Sequence, residues 1–174
     1  DGAFMDCTLL SSISIPNCTY ISSDAFYNCS LLDGFDFSNV EYVCDSAFED
    51  TSISQVSSET ILELGRGAFR GCTNLVSVDV PNCTYIGDYA FVSCQSLESV
   101  NIPKITVIND DTFSNTYKLT EFDFGNITSI GRYAFKNGGI ESFNAPNVTS
   151  IGYQAFYNAT SLKEVTFGDK LTTI

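Results

Sequence analysis

Histidine is absent from these 174 residues, which removes the commonest general base at neutral pH and the usual metal ligand. Cationic side chains are scarce: eight Lys and Arg stand against 21 Asp and Glu, for a formal charge of −13 and a pI near 4.1. Nucleic acids and anionic membranes are bound through a basic face, so this balance argues against both as partners. No apolar run approaches the roughly 18 residues of a membrane span, and no basic segment leading into an apolar stretch marks a signal peptide. There is no Cys-x-x-Cys, no phosphate-binding glycine loop and no nucleophile elbow. These gaps point away from an enzyme, a resident cofactor and a metal site.

What the chain has instead is repetition. Residues 17–26 read NCTYISSDAF and residues 82–91 read NCTYIGDYAF. Phe recurs at 4, 26, 48, 69, 91, 113, 135 and 156, every 21 or 22 residues. Aligned on this Phe, the units follow A-F-x-x-C-x-x-L-x-x-V-x-V-P-N-V-T-x-I-G-x-x. The Leu column holds Leu10, Leu32, Ile53, Leu75, Leu97, Leu119, Ile140 and Leu162. Three and five residues later come further apolar columns, such as Val78 and Val80 or Phe122 and Phe124. That alternation of β-branched and aromatic residues predicts one short strand per unit with one buried face.

The second half of each unit has another spacing. Ile86, Ala90, Phe91 and Cys94 fall at offsets 0, 4, 5 and 8, which predicts a short helical piece opened by Gly87 and Asp88. A unit this small cannot bury its own apolar face, so neighbours must stack and share a core. The two 21-residue units lose their residue between Phe48 and Ile53 and between Phe135 and Ile140, where a turn absorbs it. At 44% apolar the chain reads as one domain over residues 1–174. Starting at Asp1 in mid-repeat and stopping at Ile174, it is expected to be a segment of a longer array.

These residues resemble a known family. The leucine-rich-repeat pattern L-x-x-L-x-L-x-x-N/C-x-L is matched by Leu75, Val78, Val80 and Cys83 and again by Leu10, Ile13, Ile15 and Cys18. The added I-G-x-x-A-F-x-x-C, carried by Ile86, Gly87, Ala90, Phe91 and Cys94, is similar to the BspA-type subclass found on bacterial and protist cell-surface proteins. The resemblance implies an α/β solenoid of about eight coils, with a parallel sheet on the concave side and short helical or 3-10 segments outside. It also implies a cell-surface or secreted recognition role. Two departures stand out: the Asn/Cys ladder is mostly Val or Ile (Val40, Ile61, Ile105, Ile127, Val148), and Ser58 occupies an apolar column.

Cysteines also follow the repeat. Cys7, Cys29, Cys72 and Cys94 sit three places after Phe, Cys18 and Cys83 at the ladder position, and Cys44 at the Gly column. Stacked columns are about 4.8 Å apart, whereas a disulfide wants Cβ atoms at roughly 3.5–4.5 Å. Buried free thiols and bridges with local adjustment are both open readings. Asn17, Asn28, Asn82, Asn126, Asn147 and Asn158 each open an N-x-S/T sequon, read either as glycan sites or as a by-product of the repeat.

The strand residues pointing away from the core form one polar column: Ser14, Asp36, Ser57, Asp79, Asn101, Asp123, Asn144 and Thr166. Asp33, Glu98, Glu121, Glu141 and Glu164 flank it against a single Lys163. Asp36, Asp79, Asn101, Glu121, Asp123 and Asn144 are therefore the candidate ligand residues, for a protein partner that is basic or part of the extracellular matrix, with Ca2+ as a lesser option. The competing reading is a solvated face that keeps the protein soluble. Tyr27, Tyr89, Tyr133, Tyr153 and Tyr157 flank the Ala-Phe anchors on the rival outer surface. Three functions follow: an adhesive recognition module, a passive stalk, or an intracellular scaffold with reduced cysteines.

Overall fold

The computed structural model describes residues 1–174 and forms a stack of short parallel elements around one core. The expected solenoid is present, with about seven turns bounded by the eight Phe positions. Each Leu column residue from Leu32 to Ile140 is buried, and so is each repeat Phe from Phe26 to Phe135. The eight Phe rings make a continuous file with centroids 5.1–5.9 Å apart and planes within 18° of parallel. Those spacings fall in the range of favourable offset stacking.

The inner strands appear where the alternation places them. Gln55–Ser57 (β3), Ser77–Asp79 (β5) and Ser99–Asn101 (β7) pair in parallel register, and Ser142–Ala145 (β10) pairs with Glu164–Phe167 (β12). Pairing lapses in the two Phe-Asp-Phe coils, 35–37 and 122–124, which carry no strand of two or more residues. Their ring centroids lie only 4.6 and 4.7 Å apart, closer than the roughly 6.6 Å between alternate residues of an extended strand. Both pairs pack edge-on against the Phe file. Drawing the rings together takes that stretch of backbone off the pairing line.

Two expectations are corrected. Seven coils hold a two-residue strand at a second place, where the alternation predicted only the inner one, and in the two Phe-Asp-Phe coils it is the sole strand. Tyr20–Ile21 (β1), Tyr42–Val43 (β2), Glu63–Leu64 (β4) and Tyr85–Ile86 (β6) form one four-stranded parallel sheet. Val107–Ile108 (β8), Ser129–Ile130 (β9) and Ser150–Ile151 (β11) continue the column as a three-stranded sheet.

The second correction concerns the Ala-Phe segment, which is a chain of turns with no helix. Positive φ recurs two residues before and two after every repeat Phe, for instance at Tyr89 (62°) and Ser93 (62°) around Phe91. A right-handed helix cannot pass through left-handed residues at that spacing. The alternating backbone divides its N–H groups between two destinations. Tyr27 and Cys29 donate three residues back, while Asp24, Phe26 and Asn28 donate to Asp45, Ala47 and Glu49 of the next coil. Three such rungs of 2.8–3.1 Å cross each of the seven interfaces, which satisfies a buried backbone without a helix.

Gly87 and Asp88 likewise act between coils. A Cβ on Gly87 would lie 2.6 Å from the Arg66 nitrogen, so the column is small because the previous coil passes against it. The Asp88 carboxylate accepts from the Asp110 N–H of the next coil, as Asp45 accepts from Arg66 and Asp110 from Arg132. The irregular Ser58 is buried, and its hydroxyl accepts from the Thr60 and Ile61 N–H groups.

Candidate functional site

The polar column falls on one face of the stack. β3, β5 and β7 bring Ser57, Asp79 and Asn101 opposite one another, and β10 with β12 does so for Asn144 and Thr166. Asp36, Asp79, Asn101, Glu121, Asp123 and Asn144 are all exposed. Asp79 and Asn144 are held outward by a buried residue on either side, Val78 and Val80 or Phe143 and Ala145. Asp36, Asn101 and Asp123 have one buried and one half-buried neighbour, and Glu121 lies between exposed Thr120 and half-buried Phe122.

The six residues are not equally free. Asn101 Nδ2 donates to Asp79 Oδ1 at 2.8 Å, linking two coils. Asp36 accepts from the Ser38 N–H at 2.9 Å and Asp123 from the Gly125 N–H at 2.8 Å. These are side-chain turns onto the chain two residues on. The Ser38 N–H, by stabilising the charged form, holds the Asp36 carboxyl below its ordinary range. A narrow cleft of about 40 Å³ opens beside Asn101, Asp123 and Asn126, where strand pairing lapses after β7. Glu121 borders a second depression with Glu141, Lys163 and Glu164, and Lys163 Nζ meets Glu141 Oε2 at 2.8 Å. The face therefore combines open carboxylates, one amide-to-carboxylate link between coils, and two cations already engaged, Lys163 by Glu141 and Lys118 by Glu98.

The cysteines are all unpaired. Those three places after Phe have a specific neighbour: Cys29, Cys72 and Cys94 direct Sγ to the carbonyl of Phe4, Phe48 and Phe69 in the preceding coil, at 3.0–3.1 Å. Thr51 and Thr116 replace Cys in the same column and donate to Phe carbonyls too. Burial pushes Cys72 up to about 12 and Cys83 up to about 11, and raises Cys94 well above the usual thiol range. Such thiols are poor nucleophiles at neutral pH.

Five of the six sequon asparagines have structural tasks. Asn82, Asn126 and Asn147 donate Nδ2 to the carbonyls of Glu59, Pro103 and Gly125 in the preceding coil. Asn28 and Asn158 occupy the left-handed position after Phe and donate to Asp6 and Asn137. Asparagine suits that position because its short amide tolerates positive φ.

Tyrosines of the turn side meet the chain's own cations. Arg66 lies over Tyr89 at 4.9 Å, Lys136 over Tyr133 at 5.1 Å, and Arg132 and Lys136 reach Tyr153 and Tyr157 at 6.0 Å. A second tyrosine row lies on the β1-β2-β4-β6 sheet, where Tyr20, Tyr42, Glu63 and Tyr85 occupy successive rungs. Sequence reasoning missed this row; its signal was the thrice-spelled Thr-Tyr-Ile or Glu-Tyr-Val at 19–21, 41–43 and 84–86. No helix is long and apolar enough to cross a membrane.

Residues 1–120 and 128–174 match the sequence pattern of the BspA type leucine rich repeat region, in six copies. No curated protein matches the chain. Among solved structures it is similar to a leucine-rich repeat protein from Bacteroides ovatus (TM-score 0.69, 21% identity, 99% of this chain and 64% of that one). It is also similar to a leucine rich cell surface protein from Faecalibacterium prausnitzii (0.60, 20%, 95% and 62%). A third likeness is to the T. pallidum leucine rich repeat protein (0.66, 23%, 90% and 76%). The chain thus spans less than two thirds of the first two, and at these identities the likeness concerns the fold.

Proposed function

The chain belongs to the BspA-type leucine-rich repeat family, and from that premise we propose that it is a non-enzymatic recognition module, displayed on a cell surface or secreted, whose inner strand face binds host or extracellular-matrix proteins. One observation carries the reading: the polar residues from Asp36 to Asn144 stay exposed in a single column while every coil behind them is packed. A stack offers such a column as an extended surface that a partner can follow across several coils. The surface-protein description of one structural relative agrees with that placement.

The stalk reading has an observation of its own, since Asp36 and Asp123 are folded onto their own backbone. The test is surface binding to a panel of matrix proteins at low and physiological salt, with Ca2+ or with chelator, beside an Asp79→Lys/Asp123→Asn variant. Asn at 123 keeps the turn acceptor and removes the charge. Saturable binding that weakens at least about tenfold, some 1.4 kcal/mol, in the variant supports recognition by this face. Equal binding by the variant, or none by either, moves the stalk reading ahead.

A further inference from the structure

We propose a second docking surface, distinct from the inner strand face: the tyrosine row of the β1-β2-β4-β6 sheet, whose occupant is an arginine- or lysine-rich extended segment of a partner protein. Tyr20 and Tyr85 are 58% and 50% exposed, and Tyr42 is half-buried beside Tyr20 with ring centroids 6.2 Å apart. The row borders a depression of about 360 Å³ that also takes in Asp45 and Glu63.

The choice of a cationic occupant rests on two observations. All eight Lys and Arg lie at or beyond Arg66, so residues 1–65 carry eleven acidic side chains and no basic one. Four tyrosines of the turn side are already matched: Tyr89, Tyr133, Tyr153 and Tyr157 each have a guanidinium or ammonium within 6.0 Å of the ring centre, while Tyr27 and Tyr117 have none and stand outside the row and its depression. Tyr20, Tyr42 and Tyr85 have the same ring chemistry, carboxylates alongside, and no cation of the chain over them. A ring face attracts a cation through its quadrupole, most strongly when the cation is partly desolvated. The Tyr20 phenol, raised above its ordinary value by the neighbouring Cys44 side chain, stays neutral at physiological pH and keeps that face available.

Geometry fits an extended segment along the stack. Tyr20 and Tyr85 are three rungs apart, about 14 Å at the usual strand spacing, and five extended residues cover about that distance. Alternate residues of such a segment point the same way and are about 6.6–6.8 Å apart, so three basic residues span the four rungs: the outer two align with Tyr20 and Tyr85, and the central one falls between Tyr42 and Glu63. The acidic stretch steers the encounter and the rings hold it, so binding weakens with salt without vanishing.

The probe is a fluorescein-labelled dodecapeptide of alternating Arg and Gly, titrated against the full chain and three variants by fluorescence anisotropy. Saturable binding is expected, with a loss of at least about tenfold in Tyr20→Leu/Tyr42→Leu/Tyr85→Leu and less than about threefold in the corresponding Phe variant, which retains the rings. Asp79→Lys/Asp123→Asn is expected to bind the peptide as the parent does, separating this surface from the inner face. Folding of each variant is checked by circular dichroism; Val107, Ser129 and Ser150 already occupy the same column in later coils. No peptide binding, equal binding by the Leu variant, or loss confined to the Asp79 variant overturns the proposal. Tyrosine-dependent binding of neutral oligosaccharides in place of the peptide also overturns it, and makes the row a glycan platform.

Discussion

The turn side and the inner strand side of each coil are built to different tolerances. On the turn side every interface has the same three backbone rungs, the same pair of left-handed residues around Phe and the same ring stack. On the strand side pairing is present in some coils and lapses at 35–37 and 122–124, and the outward column changes from Ser to Asp to Asn. The turn side sets the spacing of the stack, which leaves the strand side free to change its chemistry without losing the fold. A surface that can vary while its scaffold stays fixed is suited to recognition.

The sharpest break in this contrast comes from the ring file. Phe91→Ala removes a fully buried ring between Phe69 and Phe113 and is expected to cost about 3–5 kcal/mol, read by denaturant unfolding. Gly87→Ala, which brings a methyl group against the backbone of the preceding coil, is expected to cost about 1–3 kcal/mol in the same assay.

Alkali probes the thiols beneath the turns. Cys72, Cys83 and Cys94 have folded pKa values above the ordinary thiol value of 9.0. The folded state thus holds protons that the unfolded state releases, and stability falls as pH rises from about 9 toward 11–12. Cys72→Thr, which copies the residue found at Thr51 and Thr116, is expected to recover about 1.4 kcal/mol at pH 10 and little at pH 7. By contrast, Asp79→Lys on the exposed strand column should change stability by no more than about 0.5 kcal/mol.

The sequence made the stack legible because burial recurs with the Phe and Leu columns, and those columns are the core. The second strand was hidden by its length, since an exposed-buried pair such as Tyr20–Ile21 shows no alternation to read. The helical expectation failed for an instructive reason: successive turns return apolar residues inward at offsets that imitate a helical stripe. The contrary signal was two residues after each Phe, where Asp6, Asn28, Asp50, Gly71, Ser93, Asn115, Asn137 and Asn158 are residues that accept positive φ. In the candidate site, exposure of the Asp79 column could be read from alternation. The turns made by Asp36 and Asp123 could not, because they depend on how the Phe-Asp-Phe coils leave the sheet.

Native-state hydrogen exchange tests the division between the two sides most directly. Phe113 N–H, bonded to the Ala134 carbonyl at 2.8 Å on the turn side, should exchange more slowly than Phe124 N–H, in the unpaired strand-side stretch, by on the order of tenfold or more. Equal rates, or slower exchange at Phe124, would contradict the claim that the turn side holds the stack together while the strand side is free to vary.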